Sequence, residues 1–133
     1  MANSILNGLL REGVSVRMLD LKTNHRSDII TEVLDAKALI IGSPTLNNGI
    51  LPTLADLLSY LKGLKPENKI GAAFGSYGWS GEGVPIINRA LEEMKIRLVD
   101  PGIKVKYVPT HDDLRLCVAL GEKIGKAIKE SVG

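Results

Sequence analysis

Two short stretches, Ala38-Leu39-Ile40-Ile41 and Ile70-Gly71-Ala72-Ala73-Phe74, carry no polar side chain at either parity. A strand with one wet face alternates polar and apolar residues, so unbroken apolar runs of this length suit strands covered on both faces. Helices must supply that cover. Leu54, Leu57, Leu58 and Leu61 recur at helical spacing after Pro52, with Gly63 as the stop, and Ile86, Ile87, Ala90, Leu91 and Met94 form a second such stripe. Ile5, Leu6, Leu9 and Leu10 build an opening helix that Gly13 would cap, and Ser27 is placed to cap another running to about Asp35. Thr110 with Asp113 reads as a capping box for a last helix, whose apolar face runs from Leu114 through Cys117, Val118, Gly121, Ile124 and Gly125 to Ile128.

Two weaker strands complete the pattern. Val14, Val16 and Met18 alternate with Ser15, Arg17 and Leu19, giving one mostly polar face, and Lys104 and Lys106 alternate with Val105 and Tyr107, turning charge outward as an edge strand does. The expectation is therefore an α/β chain of four strands and five helices in one domain over residues 1–133. An α/β chain ordinarily opens with a strand, whereas this sequence starts in or just before a helix. Direct pairing of the Val14 strand beside the Ala38 strand is expected on that basis.

Composition narrows function mainly by exclusion. Lys plus Arg at 17 against Asp plus Glu at 15 is too balanced for a dedicated nucleic-acid binder. A single cysteine, Cys117, and two histidines, His25 and His111, offer neither a disulfide framework nor a Cys-rich zinc site, so no metal site is expected. No apolar run nears the ~20 residues that cross a bilayer, and a cytoplasmic protein without membrane contact is expected. Cys117 lies on an apolar helical stripe as a core residue, His25 in a polar turn, and His111 in a capping turn. No catalytic side chain is expected, because no Ser-His-Asp or Cys-His set is available.

Ligands of open parallel sheets bind beyond the carboxyl ends of the strands. Both central strands run into unusual loops: Gly42-Ser43-Pro44-Thr45-Leu46-Asn47-Asn48-Gly49, and Gly75-Ser76-Tyr77-Gly78-Trp79-Ser80-Gly81-Glu82-Gly83, which holds the only Trp. Hydroxyls, amides and glycines suit close backbone approach to a ligand, and Tyr77 and Trp79 suit stacking on a flat ring. The same residues also suit a plain turn and a subunit contact.

The paired motifs Gly42-Ser43-Pro44-Thr45 with Asn48, and Ser76 to Glu82, resemble the second and third flavin-binding loops of the flavodoxin-like C-terminal domain of flavodiiron proteins, the A-type flavoproteins. The resemblance reaches from the first helix to Glu130 and implies a flavodoxin-like, doubly wound parallel sheet, here N-terminally truncated. It implies FMN binding and electron transfer, with Ser43, Pro44, Thr45, Leu46, Asn47 and Asn48 on one side of the isoalloxazine and Ser76, Tyr77, Gly78, Trp79 and Gly81 on the other. It also implies a redox protein partner, such as rubredoxin or a diiron domain, and assembly as a homo-oligomer. The family's first strand and its phosphate-wrapping turn have no counterpart in residues 1–133, so FMN is expected to bind weakly. The alternative is a flavin-free structural or interaction module built on the same truncated fold.

Overall fold

The computed structural model describes residues 1–45, 49–64, 69–78 and 81–132. Five helices, α1 (Ala2–Arg11), α2 (Arg26–Asp35), α3 (Pro52–Leu64), α4 (Gly83–Glu93) and α5 (His111–Val132), surround four strands. The strands are β1 (Ala38–Gly42), β2 (Ile70–Tyr77), β3 (Arg97–Leu98) and β4 (Ile103–Lys106). β2 is the hub: β1 pairs along one edge, and β3 and β4 pair along β2 as well, all in parallel. The two apolar runs are thus neighbours in register, Ala38 opposite Ile70 and Gly42 opposite Phe74.

Alternating side chains of this sheet feed two cores. On one face Ile41 and Ala73 join Ile30 and Val33 of α2, Leu54 and Leu61 of α3, and Ile87 and Leu91 of α4. On the other, Ile70 and Ala72 join Ile5 and Leu9 of α1 and Cys117, Leu120 and Ile124 of α5. Burial raises the Cys117 thiol above its ordinary range, which leaves it a protonated core group.

Helix ends mostly follow local chemistry, with two differences: Gly63, expected to end α3, lies within it one residue before Leu64, and the α2 cap is reassigned. Gly13 has the positive φ (+75°) of a left-handed terminator, and Asp113 N–H donates to Thr110 Oγ1 (3.2 Å) while Thr110 N–H donates to Asp113 Oδ2 (2.9 Å). For α2 the cap is His25 rather than Ser27: the imidazole Nδ1 accepts from Ser27 N–H at 3.1 Å. A ring nitrogen can take the place of a hydroxyl wherever the backbone turns it toward the free N–H groups.

Two strands differ from the sequence pattern. Residues 14–20 form no strand, and none of the described strands pairs with β1 on the side away from β2, so the expected Val14 to Ala38 pairing is not made. Val14 and Val16 instead pack against the α1–α5 core, and Leu19 and Leu21 against the other. Alternation reports burial of one face, and packing against helices satisfies it without a ladder. The count of four is made up instead by β3 (Arg97–Leu98), in line with β4 but offset by a two-residue slip in register along β2. Asp100 makes the break, its Oδ1 accepting from Gly102 N–H at 2.9 Å. Tyr107, expected to face inward with Val105, leaves the strand instead and is exposed.

The crossing of α1 over α5 is a backbone contact. A β-carbon on Gly121 would lie 2.1 Å from Ile5 O, and one on Gly8 would lie 2.1 Å from Val118 O. Gly121→Ala is expected to lower stability by ~1–3 kcal/mol through overpacking, although alanine is the better helix former. Gly63→Ala in α3, with no described residue within 4 Å of its added carbon, should be neutral or stabilising. Urea unfolding followed by circular dichroism checks both.

Lys69 is only 7% exposed and donates from Nζ to Leu34 O (3.1 Å) and to Ala36 O, tying the end of α2 to the start of β2. Burial pushes its ammonium below the ordinary 10.5, partly opposed by Asp35. The unfolded chain therefore binds more protons between the lowered value and 10.5, and this group's contribution to stability rises with pH across that window. The stability of the native protein relative to Lys69→Met should increase from neutral pH toward pH ~10, as read by urea melts. A flat or falling difference would contradict the assignment.

Candidate functional site

The carboxyl ends of β1 and β2 lie side by side, and the loops that leave them are stitched together at their roots. Thr45 N–H donates to Ser76 O at 2.8 Å, extending the β1–β2 ladder past the strand end. Thr45 Oγ1 accepts from Gly83 N–H at 3.0 Å. That amide opens α4, whose N-cap, Glu82, makes no side-chain capping hydrogen bond, so the cap comes from a residue 38 positions earlier. The Ser43 hydroxyl, on a side chain 4% exposed, donates to Pro44 O (2.8 Å) and accepts from Leu51 N–H (3.2 Å), closing the first loop on itself.

Close approach makes this arrangement possible. A β-carbon on Gly75 would sit 2.1 Å from Ser43 O, so the first loop can cross the end of β2 only because that position has no side chain. Phe74, one residue earlier, lays its ring against Gly42 of β1 on the opposite face, where an added carbon would meet it at 2.2 Å.

The sequence-predicted residues therefore fall into three groups. Ser43 and Thr45 frame the site and have engaged hydroxyls. Ser76 and Tyr77 are half-buried at the end of β2, Gly81 is half-buried beside Tyr77 and Lys104, and Pro44 and Gly78 are exposed at the opening. Leu46, Asn47, Asn48 and Trp79 lie outside the described residues. Among the described residues, no group of three or more His, Cys, Asp and Glu side chains is placed to hold a metal ion. No helix among them is long and apolar enough to cross a membrane.

One neighbour escaped the sequence reading. Tyr107 N–H donates to Tyr77 O at 2.7 Å, and its ring lies where a β-carbon on Gly78 would be 3.4 Å away. The turn after β4 thus backs the second loop. The only signal for it in the sequence was an aromatic residue at the end of a charged edge strand, which alternation assigned to the core.

Thr45→Val keeps the side-chain volume and removes the acceptor that Gly83 N–H uses. It should lower stability by ~1–2 kcal/mol and speed hydrogen exchange at the Gly83 amide, whereas Thr45→Ser should retain most of both. Amide exchange by NMR is the direct readout.

Comparison with known proteins places this geometry. Residues 1–121 match the family model described as Flavodoxin. The chain is 44% identical over 131 residues to a nitric oxide reductase of Moorella thermoacetica, covering 98% of this chain and 33% of that protein. It superimposes with a TM-score of 0.96 on rubredoxin oxygen:oxidoreductase from Desulfovibrio gigas, at 42% identity, covering 99% of this chain and 33% of that one. Against the flavodiiron protein from Giardia intestinalis the TM-score is 0.93 at 29% identity, covering 98% of this chain and 32% of that one. The chain spans about a third of the length of these relatives. It belongs to the flavodoxin family, as a flavodoxin-like domain of the kind found in flavodiiron proteins.

Proposed function

We propose that the chain binds FMN between the loops that follow β1 and β2 and serves as an electron-transfer domain. The observation that carries this reading is the Thr45 stitch, which fixes two glycine-bearing loops side by side at the carboxyl ends of adjacent parallel strands. FMN supplies the redox chemistry when bound, and the protein supplies position and surroundings. Tyr77 and Trp79 flank one side of the ring, and the residues from Ser43 to Asn48 face the other. Backbone groups of Asn47, Asn48 and Gly78 meet its polar edge. Thr45 and Ser43 hold the two loops at a set separation, which lowers the ordering cost of binding.

The donors at hand suit a ring better than a phosphate. The Ser43 and Thr45 hydroxyls of the first loop already accept from Leu51 N–H and Gly83 N–H and hold the loops together, which leaves them poorly placed to wrap a phosphate monoester. FMN and riboflavin should therefore bind this 133-residue chain with similar, weak affinity. Trp79→Ala should weaken either by the ~1–3 kcal/mol that stacking contributes, a loss of about 5- to 150-fold. Titration by flavin fluorescence quenching reads both, and tight binding selective for FMN would overturn the phosphate argument.

The engaged hydroxyls also favour a second reading, a flavin-free interaction module, which the same titration decides by showing no binding of either flavin. In the leading reading the chain works in the cytoplasm as a dimer and exchanges electrons with a rubredoxin or a diiron domain. The name of the Desulfovibrio gigas relative, which pairs rubredoxin with oxygen, supports that choice of partner.

A further inference from the structure

A hollow of about 490 Å³ lies at the edge of the sheet away from β1, where the outer side of α4 meets the corner between β3 and β4. That volume suits a small ligand, and none of the residues lining it belongs to the loops that follow β1 and β2. Gly102 keeps it open. With a left-handed φ of +100° and its N–H held by Asp100 Oδ1 at 2.9 Å, this residue turns the chain into β4, and a β-carbon there would sit 2.5 Å from Val84 Cγ1. Pro85 and Pro101 add rigid apolar wall, and among the described residues no aromatic ring lines the hollow.

Asn88 gives the hollow an unmet acceptor. Among the described residues its Oδ1 is the one buried side-chain nitrogen or oxygen without a hydrogen-bond partner. The amide is not free to turn over, since Nδ2 donates to Pro101 O at 2.9 Å and an inverted amide would set two oxygens against each other. A buried acceptor left unpaired costs free energy, so this one points to a donor from outside the chain. Charge is unmet as well. Arg89 and Glu92, three positions apart on α4 and both exposed, line the same hollow, yet neither forms an ion pair among the described residues. The acid one turn on, Glu93, is taken by Lys62 at 2.6 Å.

We propose that this hollow binds a small polyhydroxylated anion, a sugar phosphate or a sugar acid, with Arg89 on the anionic group and with Asn88 Oδ1 and the Glu92 carboxylate accepting from hydroxyls. The planar guanidinium fork matches a phosphate or a carboxylate. Two acceptors on the same wall call for a ligand that brings several donors of its own, which a bare anion does not. A nucleotide fits less well, because no described ring is there for its base to stack on. The site is independent of the flavin reading: it uses neither of the loops after β1 and β2 and needs no FMN.

The test is titration of the full 133-residue chain, without flavin, with glucose 6-phosphate, gluconate, inorganic phosphate and glucose, followed by amide shifts in NMR spectra. Glucose 6-phosphate or gluconate should move the amides around Asn88 and Gly102 and bind about tenfold or more tightly than inorganic phosphate or glucose. The tighter of the two tells a sugar phosphate from a sugar acid. Arg89→Gln should weaken that binding about tenfold and flatten its salt dependence. Arg17→Gln, the same charge loss at the Glu32 pair on α2, should leave it near the native value. Asn88→Ala should bring the affinity down toward that of inorganic phosphate, whose own binding stays as it was. Arg89 is exposed, so its variant carries the test even where Asn88→Ala impairs folding. Equal binding of inorganic phosphate and the polyhydroxylated anions would mean an adventitious ion only. Native affinity in Arg89→Gln, or no amide shifts along α4, would overturn the site.

Discussion

β2 is the strand on which every other strand depends, since β1 on one side and β3 and β4 on the other all hydrogen-bond to it and not to one another. A strand in that position must bury both faces and yet let helices close in from above and below. Its sequence meets the demand with small residues: Ala72 and Ala73 are fully buried, and Gly71 and Gly75 leave room for Ile96 and for the Ser43 carbonyl. Larger side chains would thicken the central layer and push α4 and the first loop away from it. The same economy of volume that makes the sheet thin brings the two site loops into contact.

From that hub, order spreads by a few long-range polar ties rather than by surface ion pairs. Lys69 fastens the carboxyl end of α2 to the root of β2, and Thr45 fastens the exit of β1 to the exit of β2 and to the start of α4. One tie lies at each end of the sheet. The ion pairs are for the most part exposed at one or both partners, as with Arg26 and Asp56, and such pairs contribute little net stability in water. The site therefore inherits its geometry from buried backbone hydrogen bonding, which is the more rigid source.

Much of this was legible in the residues. The two all-apolar runs are the paired central strands, the Thr110 and Asp113 box caps α5 as its spacing implies, and Leu54, Leu57, Leu58 and Leu61 are all buried. The loops following the central strands were identifiable because glycine, hydroxyl and aromatic residues cluster where little core remains to fill. What stayed hidden depends on residues far apart in the chain. Ser43 and Thr45 read as ligand donors until their hydroxyls are seen bonded to Leu51 and Gly83. Ser27 outranked His25 as a cap because capping preference is a property of residue type, whereas the cap itself is a matter of where the ring points.

Sequence alone determined the layered α/β class, the two central strands, the helical stripes and the loops that hold the site, because each follows from periodicity and residue type within a dozen positions. Tertiary structure decided which alternating segments became strands: Val14 to Met18 did not, and Arg97–Leu98 did. It also turned Tyr107 outward and placed it behind the second loop. The physical reason is common to all three. Alternation records only that a face is covered, while pairing, register and outward exposure depend on which backbone edge lies alongside, and β2 offers its edge to Arg97, Leu98 and residues 103–106.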